Sequence, residues 1–235
     1  LPSGKRNFGG FAPRFTGNAG LAALEYNIPT VEALGKQTKG MIFTGNQASV
    51  DRFKQSASGF GVLHLATHAQ ANTTAGNFSF VVLSDGQNGY DSLFVKDLYL
   101  LDLTAASMVV LSACETADGA LYKGEGVVSL ARAFLYAGAR SVLTTFWSIN
   151  DVANKRLMTS FFEHLKTGAP KTEALRQAKL AQIKASDSHD AHPVYWAAFT
   201  AIGNDAPVYP QESWMIWAGV GLLGLIGIIG WKRRI

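Results

Sequence analysis

Two short apolar runs, each ending in polar residues, constrain this chain more than any other feature. Val62-Leu63-His64-Leu65-Ala66-Thr67 and Met108-Val109-Val110-Leu111 are too short for helices and lack a polar face. Strands of that kind are buried on both sides, as in parallel sheets covered by helices. Between such runs the spacing becomes helical. Val127, Leu130, Ala131, Phe134 and Leu135 recur on one helix face, and Gly138 is placed to end it. Leu157, Met158, Phe161, Phe162 and Leu165 form a second stripe, with Asp151 as its expected cap and Gly168 as its stop. Further helices are expected over 47–54 and 172–185, with one or two helical turns over 95–101. Strands are expected at 41–43, 78–83, 141–146 and 194–201. Residues before Gly40 read as loop with at best a short helical stretch across 21–24 and 31–34. Alternation of strand and helix predicts an α/β fold with a mainly parallel sheet covered on both faces.

With 235 residues, 48% of them hydrophobic, the chain is long enough for one substantial domain and an appendage. Of the net charge of +4, three charges sit in Lys232, Arg233 and Arg234, so the body offers no basic face for nucleic acid. A single cysteine excludes an internal disulfide and a multi-cysteine zinc cage. The chain starts at Leu1, so an excerpt or processed piece is expected, with any upstream domain out of sight.

The tail carries its own signal. Trp214 to Trp231 is uncharged and, as a helix, would reach about 27 Å, close to the hydrocarbon thickness of a bilayer. Tryptophans stand at both ends, Lys232-Arg233-Arg234 follows, and Gly221, Gly224, Gly227 and Gly230 recur every third residue. A transmembrane helix is therefore expected over 213–231, with a linker over 204–212 and a basic tail over 232–235. The basic cluster favours the cytoplasm, which would place the main domain outside it. A competing reading takes Pro210-Gln211-Glu212-Ser213, the apolar span and the basic end as a bacterial surface-sorting signal.

Chemistry concentrates where the two apolar runs end. Ligands bind at the carboxyl edge of α/β sheets, and there the sequence delivers His68 and Cys114. A lone cysteine is ordinarily a small buried hydrophobe. Here the polar, turn-forming Glu115-Thr116-Ala117-Asp118-Gly119 after it, and the histidine on a similar strand, favour a nucleophile. An imidazole raises the thiolate fraction or protonates a leaving amine, and the backbone amides of Ala69 and Cys114 are candidate oxyanion donors. His64 lies deeper and reads as a structural histidine. Two histidines four apart bind zinc on a helix, but this segment reads as strand, so neither metal nor organic cofactor is expected. Gly119 to Gly126 lacks the Gly-Lys-Ser/Thr ending of a phosphate loop and reads as a mobile loop beside the nucleophile. Asp151 follows a strand; besides a helix cap, it is a candidate partner for a basic substrate side chain.

Several motifs, in order, resemble one family. They are His64-Leu65-Ala66-Thr67-His68-Ala69, Leu111-Ser112-Ala113-Cys114-Glu115-Thr116, Gly124-Glu125-Gly126, Ala131-Arg132-Ala133-Phe134, Ala137-Gly138-Ala139-Arg140-Ser141-Val142, Phe146-Trp147 and His192 to Phe199. These resemble the CHAT domain, a caspase- and separase-like family, over residues 40 to 203, with 1–39 as a partial lead-in. The resemblance implies a caspase-like three-layer α/β/α sandwich and a cysteine endopeptidase acting on a protein or peptide substrate. It places His68 and Cys114 at the catalytic dyad, and Asp151 where separase-like relatives select a basic residue before the scissile bond. It also implies tetratricopeptide repeats upstream. Part of the sheet edge is expected to be missing, and Phe146 replaces the family's usual leucine. The alternatives are a catalytically silent interaction module and a Cys-His acyl hydrolase or transferase.

Overall fold

The computed structural model describes residues 7–16, 20–70, 72, 75–112, 114–115, 125–185 and 191–210. The elements along the chain are β1 (Phe8–Ala12), α1 (Asn27–Thr38), β2 (Met41–Thr44), α2 (Val50–Ser56), β3 (Val62–Leu65), β4 (His68–Gln70), β5 (Phe80–Ser84), β6 (Tyr90–Phe94), α3 (Val95–Leu98), β7 (Met108–Leu111), β8 (Cys114–Glu115), α4 (Glu125–Tyr136), β9 (Ser141–Thr145), α5 (Asp151–Lys166), α6 (Lys171–Ala185) and β10 (Phe199–Gly203). Strands β10-β9-β7-β3-β1-β2 form the main sheet. Every neighbouring pair in it is parallel except β9 with β10.

Side-chain alternation along the central strands shows why both faces are covered. Leu63, Leu65, Val109 and Leu111 enter one core with Phe53 of α2, Leu98 of α3 and Phe134 of α4. Their neighbours Val62, Met108 and Val110 enter another core with Leu34 of α1, Leu157 and Phe162 of α5, and Ala174 of α6. Successive strand residues point to opposite faces, so the two cores lie on opposite sides of the sheet. The continuous apolar runs therefore mean what they were expected to mean.

Four expectations are corrected. The segment before Gly40 is not loop and partial helix alone: Phe8-Gly9-Gly10-Phe11-Ala12 is a fully buried strand between β2 and β3. Its glycines are needed for packing, since a Cβ on Gly9 would meet the Phe60 ring at 2.6 Å and one on Gly10 would meet Val31 at 2.5 Å. The helix there starts at Asn27, and 21–24 is not helical. The expected strand 62–67 stops at Leu65, and the chain then crosses into a second sheet, β6-β5-β4-β8. The last strand lies further on than 194–201, because Pro193–Tyr195 forms a 3-10 turn closed by the Trp196 indole donating to Ala191 O (2.9 Å). It pairs antiparallel to β9, from Phe199↔Thr145 to Gly203↔Ser141.

The beginning of the expected linker 204–212 is packed against the domain. The buried Lys171 ammonium donates to Asn204 O (2.8 Å) and Ala206 O (2.6 Å), and Val208 is buried. Among the described residues no helix is long and apolar enough to cross a membrane. The expected span 213–231 and tail 232–235 lie outside the described residues, as does most of the loop Gly119 to Gly126.

Candidate active site

Strands β3 and β7 are parallel neighbours in exact step, Val62 opposite Met108 and Leu65 opposite Leu111. Past these ends both chains leave the main sheet together. They pair again as β4 and β8, with His68 opposite Cys114 and Ala69 opposite Glu115. Facing residues of adjacent strands have backbones about 4.8 Å apart. The two sequence-predicted dyad positions are thus brought into one row at the carboxyl edge of the fold.

His64 and Ser112 tie the two chains together just before they cross. His64 Nε2 and Ser112 Oγ are 2.7 Å apart, linking β3 to the residue after β7. His64 is 0% exposed, faces Phe162 at 6.1 Å and Phe8 edge-on at 6.3 Å, and among the described residues its Nδ1 has no hydrogen-bond partner. Burial drives its pKa down to about 3, so the ring is neutral at physiological pH. This is a structural histidine, as its depth in the sequence suggested.

His68 is 1% exposed and lies under the segment between β1 and α1. Its Nε2 donates to Ala22 O at 2.9 Å, and Phe15 packs edge-on to the ring at 4.5 Å. A carbonyl only accepts, so the proton of the neutral ring is assigned to Nε2 and Nδ1 is its basic nitrogen. Phe15 in turn stacks on Tyr90 of β6 at 4.9 Å. At the turn between β3 and β4, the buried Thr67 hydroxyl donates to Val82 O, which ties the crossing strand to β5.

Asp151 is not the cap of α5. Asn150 is, its side chain accepting from Val152 N (3.0 Å) and Ala153 N (3.2 Å). Asp151 occupies the first turn, where a carboxylate complements the helix dipole. Its Oδ2 accepts from Tyr26 N at 2.7 Å, across 125 residues of sequence. Tyr26 belongs to the same segment as Ala22, so Asp151 and His68 hold one strap at two points. Of the two amides considered for an oxyanion, Ala69 lies in β4, paired on both sides, while Cys114 lies in β8, which among the described residues is the edge strand.

Two contacts were not foreseen. One is the backbone carbonyl of Ala22, which no side-chain pattern can reveal. The other is Asn27, whose amide donates to Pro13 O (2.7 Å) and Ala66 O (3.2 Å) while its Oδ1 accepts from Ile28 N (2.8 Å). An asparagine just ahead of an apolar helical stretch is a legible start signal, but its two long-range carbonyls are not.

The fold and this row of residues define an α/β protein with a histidine and a cysteine at the tips of neighbouring parallel strands. The chain belongs to the CHAT domain family, whose model matches residues 11–204. It is 37% identical over 115 residues to tetratricopeptide repeat protein 28 of Mus musculus and 32% identical over 135 residues to that of Homo sapiens. Those stretches cover 48% and 55% of this chain but only 5% of each relative. Among solved structures the chain is similar to the Saccharomyces cerevisiae separase–securin complex, with a TM-score of 0.55 at 13% identity over 87% of this chain and 12% of that one. The sheet is thus that of a separase-like fold.

Proposed function

We propose that this CHAT domain is a cysteine endopeptidase in which Cys114 is the nucleophile and His68 the acid–base. One observation carries the reading: His68 and Cys114 are opposite one another in paired strands. The Cys114 thiol gives its proton to His68 Nδ1, the sulfur attacks the peptide carbonyl carbon, and the oxygen takes the negative charge. The backbone amides of Cys114 and Ala69 are the proposed oxyanion donors, Cys114 foremost because its strand is paired on one side only among the described residues. His68 delivers a proton to the nitrogen as the C–N bond breaks, leaving a thioester. It then takes a proton from the water that hydrolyses the thioester and returns it to sulfur. The Ala22 carbonyl holds the ring while its charge changes. Asp151 is the proposed partner of a basic residue before the scissile bond, through Oδ1, since Oδ2 holds Tyr26.

The relatives' names support tetratricopeptide repeats as companions of this domain, and a protein or peptide substrate belongs to the peptidase reading itself. Sequence alone supports a tether through 213–231, with the main domain outside the cytoplasm. A second reading, a silent interaction module, has one observation in its favour: His68 is buried beneath Phe15 and the strap.

A peptide-library cleavage assay with a thiol-directed peptidyl probe separates the readings. Cleavage should fall at least about a hundredfold in His68→Ala and disappear in Cys114→Ala. Probe labelling should be lost in His68→Ala although the thiol remains. Cleavage indifferent to His68→Ala would overturn the peptidase reading, and ester turnover without peptide cleavage would favour an acyl hydrolase or transferase.

A further inference from the structure

Strands β1 and β3 are ladder neighbours up to Phe11↔Leu65, and the final rung is Ala66 N donating to Phe11 O at 2.9 Å. Just beyond it the two backbones part, and the carbonyls of Pro13 and Ala66 have no rung left to accept. Both are met by one side chain. The Asn27 amide, 4% exposed, donates one hydrogen to each, at 2.7 and 3.2 Å, and its Oδ1 accepts from Ile28 N. The same residue therefore closes the loop that starts at Pro13, fixes the first turn of α1, and ties both to the strand that ends just before His68. Ala22, which receives the His68 Nε2–H, lies on this closed loop.

We infer that Asn27 is a positioning residue of the dyad, acting through the Ala22 carbonyl to hold the His68 ring with its proton on Nε2. The inference deepens the peptidase reading and rests on it for its kinetic consequence, but not for its structural one. A carboxamide suits the position because it offers two donors from one nitrogen and an acceptor alongside. Serine has one rotating donor and shorter reach, so it cannot serve both carbonyls at once.

The test combines kinetics with nitrogen-15 NMR of the imidazole in the full chain. In Cys114→Ala protein, at a pH where the ring is neutral, His68 should show the shifts of a single Nε2–H tautomer. In Asn27→Ser, Cys114→Ala protein the two nitrogens should move toward averaged values. In the active chain, Asn27→Ser should lower kcat about tenfold, the worth of one charge-assisted hydrogen bond, with KM nearly unchanged. A wild-type ring found as the Nδ1–H tautomer overturns the inference without any variant, so a failure of Asn27→Ser to fold does not shelter it. Unchanged shifts in a folded Asn27→Ser protein overturn it as well. Absence of all Cys114-dependent cleavage would sink the peptidase reading alone, because the tautomer readout needs no turnover.

Discussion

His64 shows how one buried side chain couples the site to the stability of the whole domain. Its pKa in the fold is about 3, against an ordinary value of 6.5, because burial penalises the imidazolium. Between those values the unfolded chain binds a proton that the folded chain does not, so stability is full above pH 6.5 and falls as pH drops toward 3. At pH 5 the loss from this one group is about 2 kcal/mol. Urea unfolding at pH 8 and pH 5 should show that difference, and it should shrink by about 2 kcal/mol in His64→Gln. An equal loss in both proteins would mean that other groups control the acid limb. His64 was legible as structural from its depth in an apolar run. The commitment of Asp151 to Tyr26 was not, because a carboxylate at a helix start looks alike whether it caps, binds a substrate or reaches across the fold.

At the scale of elements, α5 is the clearest translation of pattern into packing. Leu157, Met158, Phe161, Phe162 and Leu165 are all fully buried, as their spacing required. Phe162 meets Phe8 edge-on at 5.6 Å and lies parallel to His64 at 6.1 Å, so this helix floors the strands that lead to the site. Truncation to Phe162→Ala should cost about 3–5 kcal/mol, measured by the urea midpoint at constant slope. A loss below about 1 kcal/mol would show that the face collapses around the gap. Strands were harder to read than helices. β1 has glycines where a strand pattern has branched residues, and they are explained only by Phe60 and Val31 pressing on its two faces. β6 alternates Tyr90, Ser92 and Phe94 with Asp91 and Leu93, a pattern too mixed to single out without its partner β5.

For the molecule as a whole, the outstanding element is the tail. If 213–231 is a membrane anchor, the full chain should float with phospholipid vesicles in a density gradient, and a chain ending at Pro210 should not. Flotation of both, or of neither, would remove the tether from the account. The packed Asn204–Val208 stretch, held by Lys171, means that such a truncation spares the domain's own contacts. Sequence alone was enough for the α/β class, the helices α4, α5 and α6, and the choice of His68 and Cys114 as candidates, because burial period and residue chemistry are local properties of a chain. Tertiary structure alone decided that β3 and β7 leave the main sheet side by side, that residues 8–12 wedge between β2 and β3, and that Ala22, Asn27 and Asp151 converge on one strap. Each of those depends on which backbone lies beside which, and strand partners distant in sequence leave no periodic trace in either run of residues.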